Sequence, residues 1–329
     1  MQVSVATVAD QLKQAAFPMH VRVVSRIDVA TDVVRFDLMP PEGFLFPAWT
    51  PGAHIEVAIE AEGERFVRHY SLMGNPTDSQ VWTICVQFEH GGRGGSRALH
   101  ERVRTGDTLE VRRLANHFPF VEAPSYIFVA GGIGITPIVP LAWEAARTGA
   151  PVRLIQTVRS EDRLVDVSDW PILEGVSLEK VISPSPTPLP VLLGEIAPGT
   201  AVMACGPGGL LDALADFSRG KDWSFHCERF IAPATTGSDE NQVFTVTLAQ
   251  SGRTLEVPAD SSLLDVLLEH GVPIEYSCKE GICSSCETPV LEGEVDHRDH
   301  VLDEDERAQN NCMMVCVSRA KGKCLLLDL

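Results

Sequence analysis

Four cysteines near the end of the chain have the spacing of an iron–sulfur ligand set. Cys278, Cys283 and Cys286 form the pattern C-x4-C-x2-C, and Cys316 follows thirty positions after the third. This is the plant-type arrangement for a [2Fe–2S] cluster. Three thiolates in one loop can bind two irons only where the backbone bends tightly, and Gly281 allows that bend. The pattern therefore predicts a [2Fe–2S] cluster on these four residues.

Two alternatives apply to the same cysteines. A zinc site usually pairs two C-x2-4-C motifs, and this region has one such pair. Cys312 lies four residues before Cys316 and is the competing fourth ligand. We favour Cys316 because the apolar run 313–315 should place it on a buried strand. Cys312 and Cys324 are then expected to be buried free thiols.

Two glycine-rich turns further upstream have the composition of a nucleotide site. Each follows a β-like run and precedes a helical one, so backbone N–H groups can approach a pyrophosphate at a helix N-terminus. Two such turns on neighbouring strands form one crevice, although tight turns without a ligand and an inert thiol at Cys205 are the alternatives. Thr136 is a candidate cap of the first helix, and Pro137 suits its first position. The candidate residues are Gly131, Gly132, Gly134, Thr136, Pro137, Cys205, Gly206 and Pro207.

A third motif, Arg68-His69-Tyr70-Ser71, closes a predicted strand. Residues two apart on a strand face the same way, so the guanidinium can hold a phosphate while the tyrosine ring packs on a planar cofactor. The basic glycine-rich loop 91–97 precedes a helical run and also suits a phosphate. Taken alone, either feature could be an ordinary exposed strand pair or surface loop.

Stretches of different periodicity must position these motifs. Residues 17–122 contain short apolar runs separated by turn signals, which favours a β-sandwich or β-barrel. Residues 123–231 alternate strand-like and helical runs, as in a parallel sheet covered by helices. Residues 232–242 have linker composition. Residues 243–329 begin with a hairpin and a serine-capped helix, and the cysteine loop follows directly.

Composition limits the class of protein. The chain has 329 residues, of which 44% are hydrophobic and 22% charged, so it suits two or three soluble domains. Five of the nine cysteines lie between positions 278 and 316, which indicates metal or redox use in a cytoplasmic protein rather than disulfides. The uncharged stretch Tyr126–Trp143 is broken by glycine and proline, so we expect a strand, a loop and a helix start, not a membrane span.

The charge is strongly acidic. The net charge of −18 argues against nucleic-acid binding, which needs a basic surface. Residues 243–329 contain 16 Asp and Glu against 7 Lys and Arg, a net of −9, so half of the excess lies there. Solubility explains such a surface, and so does an acidic docking face for a basic partner.

In chain order the motifs R-x-Y-S, G-G-x-G-I-T-P, C-G-P and C-x4-C-x2-C…C resemble the phthalate dioxygenase reductase family, particularly the branch with vanillate demethylase reductases. The resemblance covers essentially everything after about residue 17. It implies an antiparallel β-barrel for flavin, an α/β domain with a parallel sheet for NAD, and a C-terminal α+β ferredoxin domain of the β-grasp type. The implied cofactors are FMN, NADH and a [2Fe–2S] cluster.

The resemblance also implies residue roles. Arg68 and the Gly94-Gly95-Ser96 loop would lie near the FMN phosphate, and Ser71 would face the flavin N5. Cys205 and Glu228 would lie near the nicotinamide, so that Ser71, Cys205 and Glu228 are the candidate catalytic residues. The candidate flavin-site residues are Arg68, His69, Tyr70, Ser71, Gly94, Gly95 and Ser96.

The nucleotide specificity depends on the residues after one strand. Arg159-Ser160 stands where a 2′-phosphate could bind, but Glu161-Asp162 directly after it would repel that phosphate. We therefore expect NADH rather than NADPH.

The three cofactors together predict an electron relay. NADH gives a two-electron hydride and a [2Fe–2S] cluster accepts one electron at a time, so a flavin belongs between them. The family partner is a separate Rieske-type oxygenase acting on a small, often aromatic acid. We expect a transient complex with it, a monomeric reductase and no membrane association. Rival readings are a reductase for another acceptor (a ferredoxin, a diiron or a haem hydroxylase) and a redox-sensing protein without turnover.

Overall fold

A computed structural model describes residues 13–14, 16–61, 63–168, 170, 173–232, 241–302 and 304–329. The chain divides into two units, residues 1–228 and residues 229–329. The predicted linker, residues 232–242, lies mostly outside the described residues, and the predicted boundaries stay predictions.

The first part of the N-terminal unit is an antiparallel barrel, as predicted. Six strands pair in the order β6-β5-β8-β2-β3-β7, and the two edge strands also contact each other. Alternation over the first five residues of β2 buries Met19, Val21 and Val23 in the core. The elements are β1 (Lys13–Gln14), β2 (Met19–Ala30), β3 (Val33–Met39), β4 (Phe44–Leu45), β5 (Ala53–Ala61), β6 (Glu64–Ser71), β7 (Trp82–Gln87), α1 (Gly95–Arg102) and β8 (Thr108–Asn116).

The second part is a parallel sheet with helices, also as predicted. Its strand order is β11-β10-β9-β12-β13, and the central strand β9 is buried at every position because both faces are covered. The elements are β9 (Tyr126–Gly131), α2 (Ile135–Arg147), β10 (Val152–Val158), β11 (Ser177–Ile182), α3 (Leu189–Leu193), β12 (Ala201–Cys205), α4 (Gly208–Ser218) and β13 (Ser224–Glu228).

The uncharged stretch Tyr126–Trp143 becomes β9, a 3-10 turn and most of α2, as expected. Within the described residues, no helix has both the length and the apolar character needed to cross a bilayer.

The barrel and the parallel sheet share a hydrophobic core. Met73 and Cys85 of the barrel pack in the same cluster as Tyr126 and Phe128 of β9. The guanidinium of Arg35 also lies 5.2 Å from the ring centroid of Trp170. The barrel and the parallel sheet therefore form one packed unit.

The C-terminal unit is an α+β domain built on a mixed sheet. The strand order is β15-β14-β20-β16-β18, with β14 and β20 parallel. Ser262 caps α5 by accepting a hydrogen bond from the Asp265 N–H at 3.0 Å, and the helix stops before Gly271, as predicted. The elements are β14 (Phe244–Leu248), β15 (Thr254–Val257), α5 (Leu263–Glu269), β16 (Glu287–Glu292), β17 (Val295–Asp296), α6 (Glu304–Gln309), β18 (Cys312–Met314), β19 (Arg319–Ala320) and β20 (Cys324–Leu327).

Candidate functional site

The four predicted cluster ligands converge in the C-terminal unit. All four side chains are buried. The thiols of Cys283 and Cys316 both contact that of Cys278, and the thiol of Cys316 also contacts that of Cys286. Strands β16 and β18 bring the distant ligand into place because one begins after Cys286 and the other ends just before Cys316.

The loop backbone fits a group bound through thiolates. The N–H of Glu280 donates to the Cys278 sulfur at 3.2 Å, and the N–H of Cys278 donates to the Cys283 sulfur at 3.5 Å. Donors of this kind stabilise cluster thiolates and help to set the reduction potential. Gly281 has φ +68°, and a Cβ there would lie 2.6 Å from the Val317 side chain. The donor set and the tight loop thus match the predicted cluster.

The local setting of the other cysteines differs from expectation. Cys316 is buried but lies two residues past the end of β18, in the turn that follows it, not on the strand. Cys312 is only half-buried, and Cys324 is exposed, so the expectation of two buried free thiols was wrong. Cys324 begins β20, where period-2 alternation buries Leu325 and Leu327 and turns position 324 outward.

In the barrel, Arg68 lies against the start of α1. Arg68 on β6 donates hydrogen bonds to the carbonyls of Val67 at 2.8 Å and Arg93 at 3.1 Å. Its side chain lies against the start of α1, so that a Cβ on Gly95 would meet it at 2.7 Å. The first turn of α1 has no acidic residue and no side-chain cap. Its N-terminal N–H groups and the guanidinium suit a bound anion.

The next residues of β6 face opposite sides of the sheet. Tyr70 pairs with Ile55 and packs against the barrel core, whereas Ser71 pairs with His54 on the other face and is buried. Burial raises the pKa of the Tyr70 hydroxyl well above its usual range, so it stays protonated. Ser96 is used structurally, since its hydroxyl accepts a hydrogen bond from the Glu89 N–H at 3.0 Å.

A histidine cluster beside Ser71 was not predicted from the sequence. The rings of His69 and His117 lie 5.2 Å and 5.1 Å from that of His54. His69 Nε2 is 3.2 Å from Glu56 Oε1. Burial, with the neighbouring rings of His69 and His117, lowers the pKa of His54 to about 3. Only His69 stood in the candidate set, because the strand register that joins the three is not visible in the sequence.

The two glycine turns meet at the carboxyl edge of the parallel sheet. Strands β9 and β12 are neighbours, and a Cβ on Gly134 would overlap the carbonyl of Cys205. A Cβ on Gly131 would lie 2.5 Å from the Pro207 ring and 3.2 Å from the Gly206 Cα. Strand β7 of the barrel also contacts the turn 132–134. The two turns are therefore adjacent, and the first of them adjoins the barrel; the ligand crevice stays a prediction.

Helix α2 begins earlier than predicted. It starts at Ile135 directly after the 3-10 turn, so Pro137 is its third residue and not its first. Thr136 does not cap the helix; its hydroxyl donates to the Ile133 carbonyl at 3.1 Å. The turn leads into the helix without a break, which moves the N-terminus two residues upstream of the proline.

Cys205 and Glu228 lie side by side at the ends of two paired parallel strands. They are register partners on β12 and β13. Burial, with the carboxylate of Glu228 and the thiol of Cys227 nearby, raises the pKa of Cys205 well above its usual range. Burial also raises the pKa of Glu228 to about 8, and its Oε2 has no hydrogen-bond partner among the described residues. A protonated carboxyl and a neutral thiol therefore end these strands at neutral pH.

Arg159 stands apart from the glycine turns. It is exposed and follows β10, two residues beyond Thr157, the register partner of Gly131. Glu161 and Asp162 come next in a short 3-10 turn, and the hydroxyl groups of Ser160 and Thr31 lower the pKa of Asp162. Glu161 and Asp162, the carboxylates predicted to disfavour a 2′-phosphate, thus follow Arg159 closely in the chain.

Comparison with known proteins supports each part. Residues 20–119 match the oxidoreductase FAD-binding domain family, and residues 246–321 match the 2Fe-2S iron-sulfur cluster binding domain family. A vanillate O-demethylase oxidoreductase of Pseudomonas sp. (strain HR199 / DSM 7063) is 35% identical, over 92% of this chain and 96% of its own. The solved structure of phthalate dioxygenase reductase is 34% identical with a TM-score of 0.65, covering 95% of this chain and 98% of that one. The chain belongs to the phthalate dioxygenase reductase family.

A second solved structure widens the comparison for this reductase. An intact type IV self-sufficient cytochrome P450 monooxygenase is 35% identical with a TM-score of 0.85, and the match covers 95% of this chain but 41% of the monooxygenase. The reductase is an NADH-dependent oxidoreductase with flavin and [2Fe–2S] domains. Phthalate dioxygenase reductase uses FMN, NADH and a [2Fe–2S] cluster, so family membership confirms the expected cofactor set.

Proposed function

We propose that this protein is the reductase component of a Rieske-type oxygenase or O-demethylase system. It takes electrons from NADH and passes them to a separate oxygenase. The observation that carries the proposal is the convergence of four buried thiols in a chain whose N-terminal unit packs Arg68 against the start of α1 and brings two glycine turns together. Relatives that match over nearly their whole length support it.

The residues of the chain act mainly by positioning. Arg68 and the N-terminus of α1 would bind the flavin phosphate, Tyr70 would pack beside the flavin ring, and Ser71 would hydrogen-bond the reactive edge of the ring. When bound, the flavin converts the two-electron hydride of NADH into single electrons, which the cluster accepts one at a time.

The crevice orients the nucleotide for this transfer. The backbone of Gly131, Gly132 and Gly134 binds the pyrophosphate, and Gly206 and Pro207 complete the wall. Cys205 and the protonated carboxyl of Glu228 lie at the strand ends and exclude water from the nicotinamide. The carboxylates after Arg159 favour NADH.

An anaerobic NADH titration followed by absorption and EPR spectroscopy tests the proposal. We expect flavin bands to bleach and a rhombic [2Fe–2S] signal to appear. A colourless zinc-containing protein, or a flavin that NADH does not bleach, would contradict it. Mass spectrometry of the released flavin distinguishes FMN from FAD.

The acceptor needs its own measurement. The likeness to part of a self-sufficient P450 favours a haem protein as the second candidate acceptor. NADH-driven reduction of a purified Rieske oxygenase component should greatly exceed that of a haem monooxygenase, and the reverse order would select the second candidate.

The complex with the oxygenase is proposed to be transient and the reductase to be monomeric. It is proposed to act in the cytoplasm, in line with nine cysteines that form no disulfide. Size-exclusion chromatography of the reductase alone and with its oxygenase tests the first two points.

A further inference from the structure

Asp299 is a buried carboxylate next to the cluster loop. It is 1% exposed, and no other Asp or Glu among the described residues of the C-terminal unit is buried. It belongs to the segment 297–302, which joins β17 to α6 and contains none of the four predicted ligands. A buried carboxylate is costly unless hydrogen bonds compensate it, so its contacts indicate what it stabilises.

The first contacts shape its own segment. Oδ2 of Asp299 accepts hydrogen bonds from the N–H of Leu302 at 2.9 Å and of Val301 at 3.2 Å. Arg307 of α6 donates to the Asp299 carbonyl and lies 3.9 Å from the carboxylate. The carboxylate therefore fixes the turn that leads into α6.

A second set of contacts reaches the turn that carries Cys316. The Ser318 hydroxyl, two residues after this cysteine, donates to Asp299 Oδ1 at 3.4 Å and accepts from the Arg298 N–H at 3.2 Å. The Ser318 N–H donates to the Met314 carbonyl at 2.9 Å. The position of the turn thus depends on the same carboxylate.

A third set reaches the loop with the other three cysteines. The N–H of His300 donates to the Gly281 carbonyl at 2.8 Å. A Cβ on Gly281 would lie 3.1 Å from the Cα of Asp299 and 2.6 Å from Val317. The cysteine loop therefore packs at Gly281 between Asp299 and Val317, the residue that follows Cys316.

We propose that Asp299 is the positioning residue of the cluster site. It fixes the loop of Cys278, Cys283 and Cys286 against the turn of Cys316. The inference rests on the proposed function in one respect, namely that the four cysteines hold an iron–sulfur cluster. Such supporting contacts contribute strongly to affinity at metal sites.

The test compares variants of the full-length protein. Asp299→Ala removes all carboxylate contacts, whereas Asp299→Asn keeps an oxygen for the two N–H donors and places an amide N–H that can donate to the Ser318 hydroxyl, which reverses that one hydrogen bond. Ser318→Ala removes only the link to the Cys316 turn. Asp296→Ala is the matched control, since this half-exposed carboxylate on the same stretch pairs with Arg298 at 2.6 Å.

The readouts are iron and sulfide per chain, the EPR line shape after dithionite reduction, and the rate of iron loss to a chelator. We expect iron loss to be roughly 10-fold faster or more in Asp299→Ala, with a broadened EPR signal. Ser318→Ala should fall between it and the wild type. Asp299→Asn and Asp296→Ala should match the wild type.

Two results would overturn the proposal: an unchanged cluster in Asp299→Ala, or a loss in Asp299→Asn as large as in Asp299→Ala. Flavin content and NADH-dependent ferricyanide reduction verify that the N-terminal unit is intact in each variant. If the wild type binds zinc and no cluster after reconstitution, the proposed function itself fails. A wild type with a cluster and an insensitive Asp299→Ala variant contradicts this inference alone.

Discussion

Cys316 and Cys312 lie four positions apart but have different surroundings. Cys316 is buried, and its thiol contacts those of Cys278 and Cys286. Cys312 is only half-buried on β18, where its neighbours include the carboxylates of Glu287 and Glu306. We predict that Cys316→Ser abolishes the [2Fe–2S] EPR signal and lowers bound iron, whereas Cys312→Ser keeps both.

The N-terminal unit provides the control for this pair. Both variants should still reduce ferricyanide with NADH, since the flavin and nucleotide sites lie outside the C-terminal unit. An intact signal in Cys316→Ser with a lost signal in Cys312→Ser would reverse the ligand assignment.

Glu228 makes the stability of the N-terminal unit depend on pH. Its pKa is raised from 4.5 to about 8 by burial, so the folded state holds a proton that the unfolded state releases at lower pH. Its contribution is complete below pH 4.5 and is lost as the pH rises to about 8. Glu228→Gln keeps a neutral group there at every pH. We predict that the stability of the variant relative to the wild type rises by about 4 kcal/mol between pH 5 and pH 9.

Urea unfolding at the two pH values measures this difference. All five tryptophans lie between positions 49 and 223, so their fluorescence reports the N-terminal unit alone. A difference between the two proteins that stays constant with pH would show that Glu228 ionises normally.

At the scale of elements, the two glycine turns depend on close backbone contact. A Cβ on Gly134 would overlap the carbonyl of Cys205, so Gly134→Ala must separate β9 from β12 at their carboxyl ends. We predict a loss of about 2 kcal/mol of stability and weaker NADH binding. Fluorescence-monitored unfolding and an NADH titration measure both effects.

Gly209 supplies a matched control, because substitution by alanine there should raise the stability rather than lower it. It lies in the first turn of α4 after the second glycine turn, and a Cβ there would meet nothing within 4 Å. Gly209→Ala should therefore stabilise the helix by up to about 1 kcal/mol. Equal destabilisation by both substitutions would refute the explanation based on backbone contact.

The elements also show what the sequence could and could not predict. Periodicity identified β9, α2 and the parallel sheet, and the cysteine spacing identified the cluster loop, because these features are local. The predicted start of α2 was two residues too late, because the chain passes from the 3-10 turn through Gly134 into the helix without a side-chain cap. The outward side chain of Cys324 follows from the register of β20, which is a tertiary property.

The supporting residues were the hardest to predict. His69 and His117 meet His54 only through the pairing of β5 with β6 and with β8, which ends just before His117, and nothing local marks Asp299 as buried. Sequence motifs contain the residues that contact a cofactor. Groups that hold those motifs in place are dispersed along the chain and become visible only after folding.

At the scale of the whole molecule, charge is distributed unevenly. Residues 243–329 carry a net charge of −9 within a total of −18, and the first turn of α6 contains Glu304, Asp305 and Glu306. An acidic surface attracts a basic partner over a Debye length of about 10 Å at 0.1 M salt. If the acidic surface serves solubility alone, salt should not change the rate of electron transfer to the oxygenase. The salt dependence of turnover therefore distinguishes solubility from docking of a basic partner.

We predict that NADH-driven reduction of the oxygenase falls roughly 10-fold as the salt concentration rises from about 20 to about 300 mM, because steering of the partner is screened. Reduction of a neutral quinone should change little.

The double charge reversal Glu304→Lys with Asp305→Lys should slow oxygenase reduction at low salt. Glu195→Lys with Asp222→Lys changes the net charge equally at exposed positions of the N-terminal unit and should be close to the wild type. If both double variants slow the reaction alike, the net charge of the molecule, and not an acidic face on the C-terminal unit, governs docking.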